Sequence, residues 1–138
     1  MPDNEMTLAF SAISQNESFA RVAAAAFIAP LNPTVIALTD VKTAISEAVT
    51  NAIIHGYESR GGTVRLRCAL SGRVATIEVT DDGCGIANIE QAREALYTSK
   101  PEQERSGMGF TVMETFMDSV EIISAPGQGT RIIMTKWL

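Results

Sequence analysis

The sequence lacks an excess of positive charge. Its 138 residues include 11 Lys and Arg against 16 Asp and Glu, which gives a net charge of -5 at pH 7. Binding to nucleic acid without sequence preference requires a cationic surface that neutralises phosphates. We therefore expect no direct nucleic-acid partner.

Cysteine is scarce, and long hydrophobic runs are missing. Only Cys68 and Cys84 occur, and their spacing does not match a metal-binding motif. No apolar run approaches the roughly 20 residues that a membrane-spanning helix needs, and the polar, acidic start does not resemble a secretory signal. These absences predict two free thiols in a cytoplasmic protein that has no membrane partner.

The remaining composition is that of an ordinary globular protein. Hydrophobic residues make up 46% of the chain and charged residues 20%. A chain of this length is most simply one domain, and it buries enough surface to fold without a disulfide or a metal. We therefore expect a single domain over residues 1–138.

Alternation of apolar and polar residues predicts five strands. Tight turns join the second strand to the third and the fourth to the fifth, which favours antiparallel pairing. Helical segments separate the other strands, so the pattern predicts an α+β sandwich, with a mixed or mostly antiparallel sheet and helices on one face. The predicted strands are Met6–Ala12, Val64–Leu70, Val74–Thr80, Ser119–Ser124 and Thr130–Trp137.

Four helices are predicted between these strands. The first runs from Glu17 to about Ala29 with Asn16 as its cap, and the second begins at Pro33 after an Asn32 cap. A short third helix covers residues 88–96, a charged loop follows over 97–106, and a fourth helix opens at the G-M-G sequence, residues 107–109.

The second helix carries a row of polar residues beside its buried face. Glu47 and Asn51 are four residues apart and therefore lie on the same side of the helix, and His55 continues the row. Gly56 is expected to end the helix in a left-handed conformation. A row of half-buried polar residues that form only local hydrogen bonds explains this pattern equally well.

Asp81 stands out at the end of the third strand. The period of two in a strand places Asp81 on the inward side, together with Ala75, Ile77 and Val79. A carboxylate entering a core costs several kcal/mol unless it is paired. The sequence therefore predicts a partner for Asp81 without naming it.

Three glycine motifs follow the second helix: D-D-G-C-G (81–85), G-M-G (107–109) and G-Q-G-T (127–130). None matches the phosphate loop or the dinucleotide fingerprint. Their order after E-x-x-x-N nevertheless resembles the Bergerat ATP-binding domain of the gyrase, heat-shock chaperone, histidine kinase and MutL class, the GHKL ATPases. The strings at 16–21, 46–57 and 104–110 are similar to those of the anti-sigma factor serine kinases of the sporulation type, and the resemblance spans essentially the whole chain.

The resemblance implies a site that binds ATP, ADP and Mg²⁺. Asp81 would accept a hydrogen bond from the adenine amino group, while Gly83 and Gly85 let the backbone approach the base. Asn51 would bind the Mg²⁺ ion. Glu47 would act as the general base that takes the proton of an acceptor serine.

The other residues expected to contact the nucleotide lie on the loop, the glycine motif and the strand ends. Lys100 and Arg105 would close over the γ-phosphate, Arg105 as a catalytic charge clamp. Backbone N–H groups at a helix start suit phosphates, and the Thr130 hydroxyl would complete the adenine pocket. The remaining expected contacts are Ile86, Thr98, Ser106, Gly107, Met108, Gly109 and Phe110.

The resemblance also implies protein partners. A protein of this type sequesters a sigma factor when ATP is bound, phosphorylates an anti-anti-sigma factor on serine, and acts as a homodimer. The first strand and first helix, with Glu17 and Arg21, are the candidate contact surface.

Three alternatives remain open at this point. One is a nucleotide-gated binding module without kinase activity, and another is the related stress-response type of serine kinase. The third is the ATP domain of a histidine kinase, which needs a phosphoacceptor histidine, whereas His55 already belongs to the E-x-x-x-N helix. Asp82, where many members of the class have asparagine, has no assigned effect, and Cys84 is expected to be structural.

Overall fold

The computed structural model describes residues 1–94 and 109–138, and its framework is one five-stranded sheet. The strand order is β1-β2-β3-β5-β4, and all four pairings are antiparallel. The predicted α+β class is confirmed, and within the described residues the sheet is antiparallel, not mixed. The strands are β1 (Asn4–Ser11), β2 (Thr63–Ser71), β3 (Val74–Asp81), β4 (Ser119–Ser124) and β5 (Thr130–Trp137).

Within the described ranges four α-helices accompany the sheet, and the buried residues of the first, second and fourth form a single core with one of its faces. The alternate residues of β2, β3 and β5 that point to this face are buried, as the period-two pattern predicts. No helix in the described ranges is long and apolar enough to cross a membrane. The helices are α1 (Gln15–Ile28), α2 (Val35–Asn51), α3 (Ile89–Ala92) and α4 (Gly109–Phe116).

Helix α2 lies at the centre of the helical layer, in contact with both α1 and α4. Five of its small and branched residues have no exposed surface at all. Their spacing of three and four residues places them on one face, which confirms the predicted buried stripe. These residues are Val41, Ala44, Ile45, Ala48 and Val49.

The starts of α1 and α2 differ from the sequence-based prediction. Ser14, rather than Asn16, precedes α1, and the Asn16 amide donates to the Ser11 carbonyl at 2.9 Å. Thr34 caps α2, because its hydroxyl oxygen accepts the Ala37 N–H at 3.0 Å. Asn32 instead ends a short 3-10 turn with a left-handed φ of 51°.

The end of α2 also differs from the sequence-based prediction. The helix continues beyond Asn51 as one wide π turn over Ala52–Gly56. Gly56 is not left-handed, and the first residues with positive φ after it are Glu58 and Ser59. A side chain at position 56 would place its Cβ 2.7 Å from the Asp81 carboxylate, so close packing, not φ, requires this glycine.

The face of the sheet opposite the helices carries an ionic ladder centred on Glu78. Glu78 is only 7% exposed, and it accepts hydrogen bonds from Arg67 and from Arg131 Nε at 2.8 Å. Arg67 also contacts Glu5 at 2.7 Å. Burial raises the pKa of the Glu78 carboxyl, but the hydrogen bonds from Arg131 and Arg67 outweigh burial, and the pKa lies below its usual value.

We expect Glu78→Gln to lower the free energy of unfolding at pH 7 by about 1–3 kcal/mol, because two charged hydrogen bonds lose their acceptor charge. Because the Glu78 pKa is lowered on folding, the wild type has this stabilisation above the ordinary pKa of 4.5 and loses it as the pH falls below that value. Urea unfolding between pH 3 and 7 measures the difference. Glu121→Gln, at an exposed acid of β4, is the control. An equal effect of the two variants would contradict the prediction.

Candidate functional site

Three polar side chains form a row across one end of the sheet. Asp81 is directly opposite Thr130, and Thr130 is directly opposite Ser124, so the row crosses β3, β5 and β4. Directly opposed residues of paired strands project to the same face, and here that face is covered by helices. Asp81 and Thr130 are 3% and 4% exposed.

Asp81 is the buried acid that the strand pattern predicts. Its Oδ1 accepts the Gly83 N–H at 2.9 Å, and the carboxylate also accepts the backbone N–H of Thr130. Burial raises the pKa of the Asp81 carboxyl, and these two hydrogen bonds offset only part of that rise. Within the chain, Asp81 is thus bound by backbone N–H donors, and its carboxylate can accept further hydrogen bonds.

The glycines of the D-D-G-C-G motif bring three backbone segments together. A Cβ on Gly83 would collide with the Gly56 carbonyl, and a Cβ on Gly85 with the Ala125 carbonyl. The Cys84 N–H donates to the Gly56 carbonyl at 2.8 Å, and the Gly127 N–H donates to the Cys84 carbonyl at 2.7 Å. These glycines are therefore required by packing within the protein. The sequence analysis explained them instead by the close approach of the backbone to the adenine base.

The two cysteines remain separate, as expected. Cys68 is buried in β2, whereas Cys84 is exposed at the site. The Cys84 thiol donates to the His55 carbonyl at 3.2 Å. This hydrogen bond ties the motif to the end of the α2 segment and agrees with a structural role.

Asp82 points away from the row. Its carboxylate accepts two hydrogen bonds from Arg65, at 3.0 and 3.1 Å, and its side chain is 67% exposed. The hydrogen bonds from Arg65 hold the pKa of Asp82 below its usual value. The Asp82 N–H donates to the Tyr57 hydroxyl at 2.7 Å, and that hydroxyl donates to the Thr63 carbonyl at 2.6 Å. Tyr57 and Arg65 thus fix the backbone that follows Asp81.

Ser124 is a residue of the site that the sequence analysis missed. Its hydroxyl accepts the Ile86 N–H at 2.8 Å and lies 2.8 Å from both the Gly129 carbonyl and the Thr130 hydroxyl. The serine lies at the end of a strand and outside every glycine motif. Only the register of β4 against β5 reveals that it joins the row.

The polar row on α2 reaches the same end of the molecule. Glu47 and Asn51 lie on α2, His55 lies in the π turn, and all three are half-buried. A π turn contains more residues than an α turn, so His55 does not continue the row at regular α-helical spacing. Gly56, at the end of the turn, contacts Asp81 and thereby connects the two halves of the site.

Most of the residues predicted to contact the phosphates lie in the segment that the structure does not describe. Thr98, Lys100, Arg105, Ser106, Gly107 and Met108 lie outside the described residues. Gly109 opens α4. Phe110 is 6% exposed, and its side chain packs in the core. Within the two described ranges no group of three or more His, Cys, Asp or Glu side chains is arranged to hold a metal.

Comparison with a solved structure supports the fold. The chain superimposes with a TM-score of 0.68 on a Mycobacterium tuberculosis protein that contains RsbU and RsbW domains, over 99% of this chain and 32% of that one. The two share 18% sequence identity. This similarity therefore shows the fold.

Sequence comparisons identify the family. Residues 11–136 match the family model described as a histidine kinase-like ATPase domain. Relatives named anti-sigma F factor are 60% identical in Clostridium kluyveri, over 99% of this chain and 96% of that protein, and 58% identical in Oceanobacillus iheyensis, over 98% and 93%. The chain therefore belongs to the histidine kinase-like ATPase domain family, within the group that contains the anti-sigma F factors.

Proposed function

We propose that residues 1–138 form a single ATP-binding domain that inhibits a sporulation sigma factor and phosphorylates an anti-anti-sigma factor on serine. The observation that carries the nucleotide part is the buried Asp81 carboxylate, which is held by backbone donors and keeps free acceptor capacity at the end of the sheet. The partner part rests on the relatives named anti-sigma F factor.

The row at the sheet end fits an adenine. Asp81 accepts hydrogen bonds, and the 6-amino group of adenine donates them, whereas guanine has a carbonyl at that position. Burial of the carboxylate strengthens the discrimination, because an unpaired polar group in the interior is costly. Asp81 and Thr130 are the residues that we assign to the base, and they leave the sugar and phosphates to extend towards α2 and α4.

Asn51 is the residue that we assign to Mg²⁺. It ends α2 and is half-buried, and its amide oxygen is a ligand type that Mg²⁺ accepts beside phosphate oxygens and water. The ion, when bound, would neutralise phosphate charge. A neutral amide alone binds the ion weakly, which suits joint loading of metal and nucleotide.

Glu47 is the residue that we assign as general base. It lies one helical turn before Asn51 on the same side of α2, so the proton acceptor and the metal ligand are neighbours. A carboxylate in this position accepts the serine proton during transfer. We assign Lys100, Arg105 and the N–H groups of residues 106–110 to the phosphates, with Arg105 stabilising the charge that develops during transfer.

The exposed face of α1 is the surface that we assign to protein partners. Phe19 and Val22 are 53% and 56% exposed. The salt bridge between Glu17 and Arg21, at 3.1 Å, lies on the side of the same helix that faces α2, where Arg21 also contacts Ser46. Exposed apolar residues that lie together are typical of protein contact sites. We propose that this surface contributes to binding of the sigma factor and to formation of a homodimer.

We expect Asp81→Asn to weaken ATP binding about tenfold to a hundredfold, because the amide places a donor where the adenine amino group needs an acceptor. Isothermal titration calorimetry measures the dissociation constant. Asp82→Asn is the matched control, since the neighbouring carboxylate is exposed and pairs with Arg65. Equal ATP affinity in the Asp81 variant and the wild type would remove the adenine assignment.

The affinity of the wild type for ATP should also depend on pH through Asp81. Because its pKa is raised above the ordinary 3.8, protonation begins at a higher pH than for an exposed aspartate and removes the acceptor. ATP affinity should therefore begin to fall at a higher pH than the titration of an exposed aspartate would give, and Asp81→Asn should lack this component. A parallel decline in both proteins would contradict the prediction.

We expect Glu47→Ala to retain ATP binding and to lose phosphotransfer by about 10²–10⁴-fold, the usual contribution of a general base. Transfer of label from γ-labelled ATP to the anti-anti-sigma factor measures the rate. Glu114→Ala removes an acid of α4 that pairs with Arg93, and it serves as the control. Near-normal turnover without Glu47 would refute its role, and a wild type that binds ATP without any transfer would be a binding module only.

We expect Val22→Glu to weaken sigma-factor binding or self-association at least about tenfold, because it places a charge in the proposed contact surface. ATP affinity should not change. Ile36→Glu is the matched control, since Ile36 is also apolar and is 76% exposed, at the start of α2. Sedimentation of the protein alone and capture of the sigma factor give the two readouts, and no change in either would exclude this surface.

A further inference from the structure

Ser124 completes the row of Asp81 and Thr130, although it belongs to none of the motifs assigned above. We propose that Ser124 is a positioning residue that fixes the Thr130 hydroxyl as a hydrogen-bond acceptor towards the purine, so that it helps to select adenine. This inference rests on the proposed ATP-binding function and adds a determinant of base specificity to it.

The argument begins with a count of donors and acceptors at the Ser124 hydroxyl. A hydroxyl has one proton to donate and two lone pairs. One lone pair accepts the Ile86 N–H at 2.8 Å. The Gly129 carbonyl, also 2.8 Å away, can only accept, so the single Ser124 proton goes to it.

The count then determines the direction of the third hydrogen bond. The Thr130 hydroxyl lies 2.8 Å from the Ser124 hydroxyl. Since Ser124 has already used its proton, Thr130 donates and Ser124 accepts with its second lone pair. All three hydrogen bonds form at once only in this arrangement, and it uses the one proton of Thr130.

The consequence concerns the lone pairs that remain on the Thr130 hydroxyl. With its proton directed to Ser124, the Thr130 oxygen presents lone pairs only. Asp81, directly opposite on β3, also presents lone pairs only while it is ionised. The buried end of the site therefore offers acceptors alone, directly or through a bound water, which matches the amino group of adenine and opposes a purine with a carbonyl at position 6.

A purely structural role for Ser124 predicts a different outcome. Loss of its hydrogen bonds to Ile86 and Gly129 would loosen the loop and weaken every purine nucleotide equally. If Ser124 instead directs the Thr130 proton, its loss should change the ratio of the affinities for two purine nucleotides. The ratio of two affinities therefore separates the two roles.

The experiment compares ATP with inosine triphosphate, which has a carbonyl in place of the 6-amino group. Dissociation constants are measured by calorimetry for the wild type, Ser124→Ala, Ser124→Thr and Thr130→Val. We expect the preference for ATP to fall about tenfold in Ser124→Ala and to be retained in Ser124→Thr, which keeps a hydroxyl. The double variant of Ser124→Ala with Thr130→Val should lose no more preference than Thr130→Val alone.

An unchanged ratio in Ser124→Ala, or additive losses in the double variant, would overturn the inference while leaving ATP binding intact. Asp81→Asn, measured in the same series, tests the proposed function separately. A wild type that bound neither nucleotide would overturn both. Thermal unfolding of each variant without nucleotide measures any loss of stability. Such a loss affects both dissociation constants equally, so it cancels in their ratio.

Discussion

The site depends on one carboxylate that is kept in the interior by backbone N–H groups. Asp81 has no cation as its direct partner in the described structure, and it is held by the Gly83 and Thr130 amides. Thr130 is fixed by strand pairing and Gly83 by its packing against Gly56, and backbone donors cannot rotate away as side chains do. The fold thus holds a charge at the end of a strand without cancelling it, and the burial that raises the Asp81 pKa also makes any unmatched polar contact there costly.

Close packing of glycines makes this arrangement possible. Gly56 approaches the Asp81 carboxylate from the π turn after α2, and Gly129 approaches the Asp81 carbonyl from the turn before β5. On the other face of the sheet, the ladder through Glu78 and Arg131 joins the same two strands. The strands that carry Asp81 and Thr130 are therefore held from both sides, and Tyr57 secures the loop that follows.

The sequence predicted much of this framework, because strand alternation and helical spacing are local signals. The five strands, the buried stripe of α2 and the inward direction of Asp81 were all correct. The starts of α1 and α2 were each wrong by two residues; for α2, Asn32 and Thr34 are both plausible caps, and only the turn before them decides between them. Ser124 and Glu78 were missed, because their roles depend on cross-strand register, which no single segment contains.

The wide turn at the end of α2 decides which residue lies against the buried acid. Ala52–Gly56 holds one residue more than a regular helical turn would. If the same residues continued as a regular α-helix, the place of Gly56 would fall to His55. A side chain would then stand where even a single carbon meets the carboxylate. The extra residue in the turn thus brings the glycine, and not the imidazole before it, to Asp81.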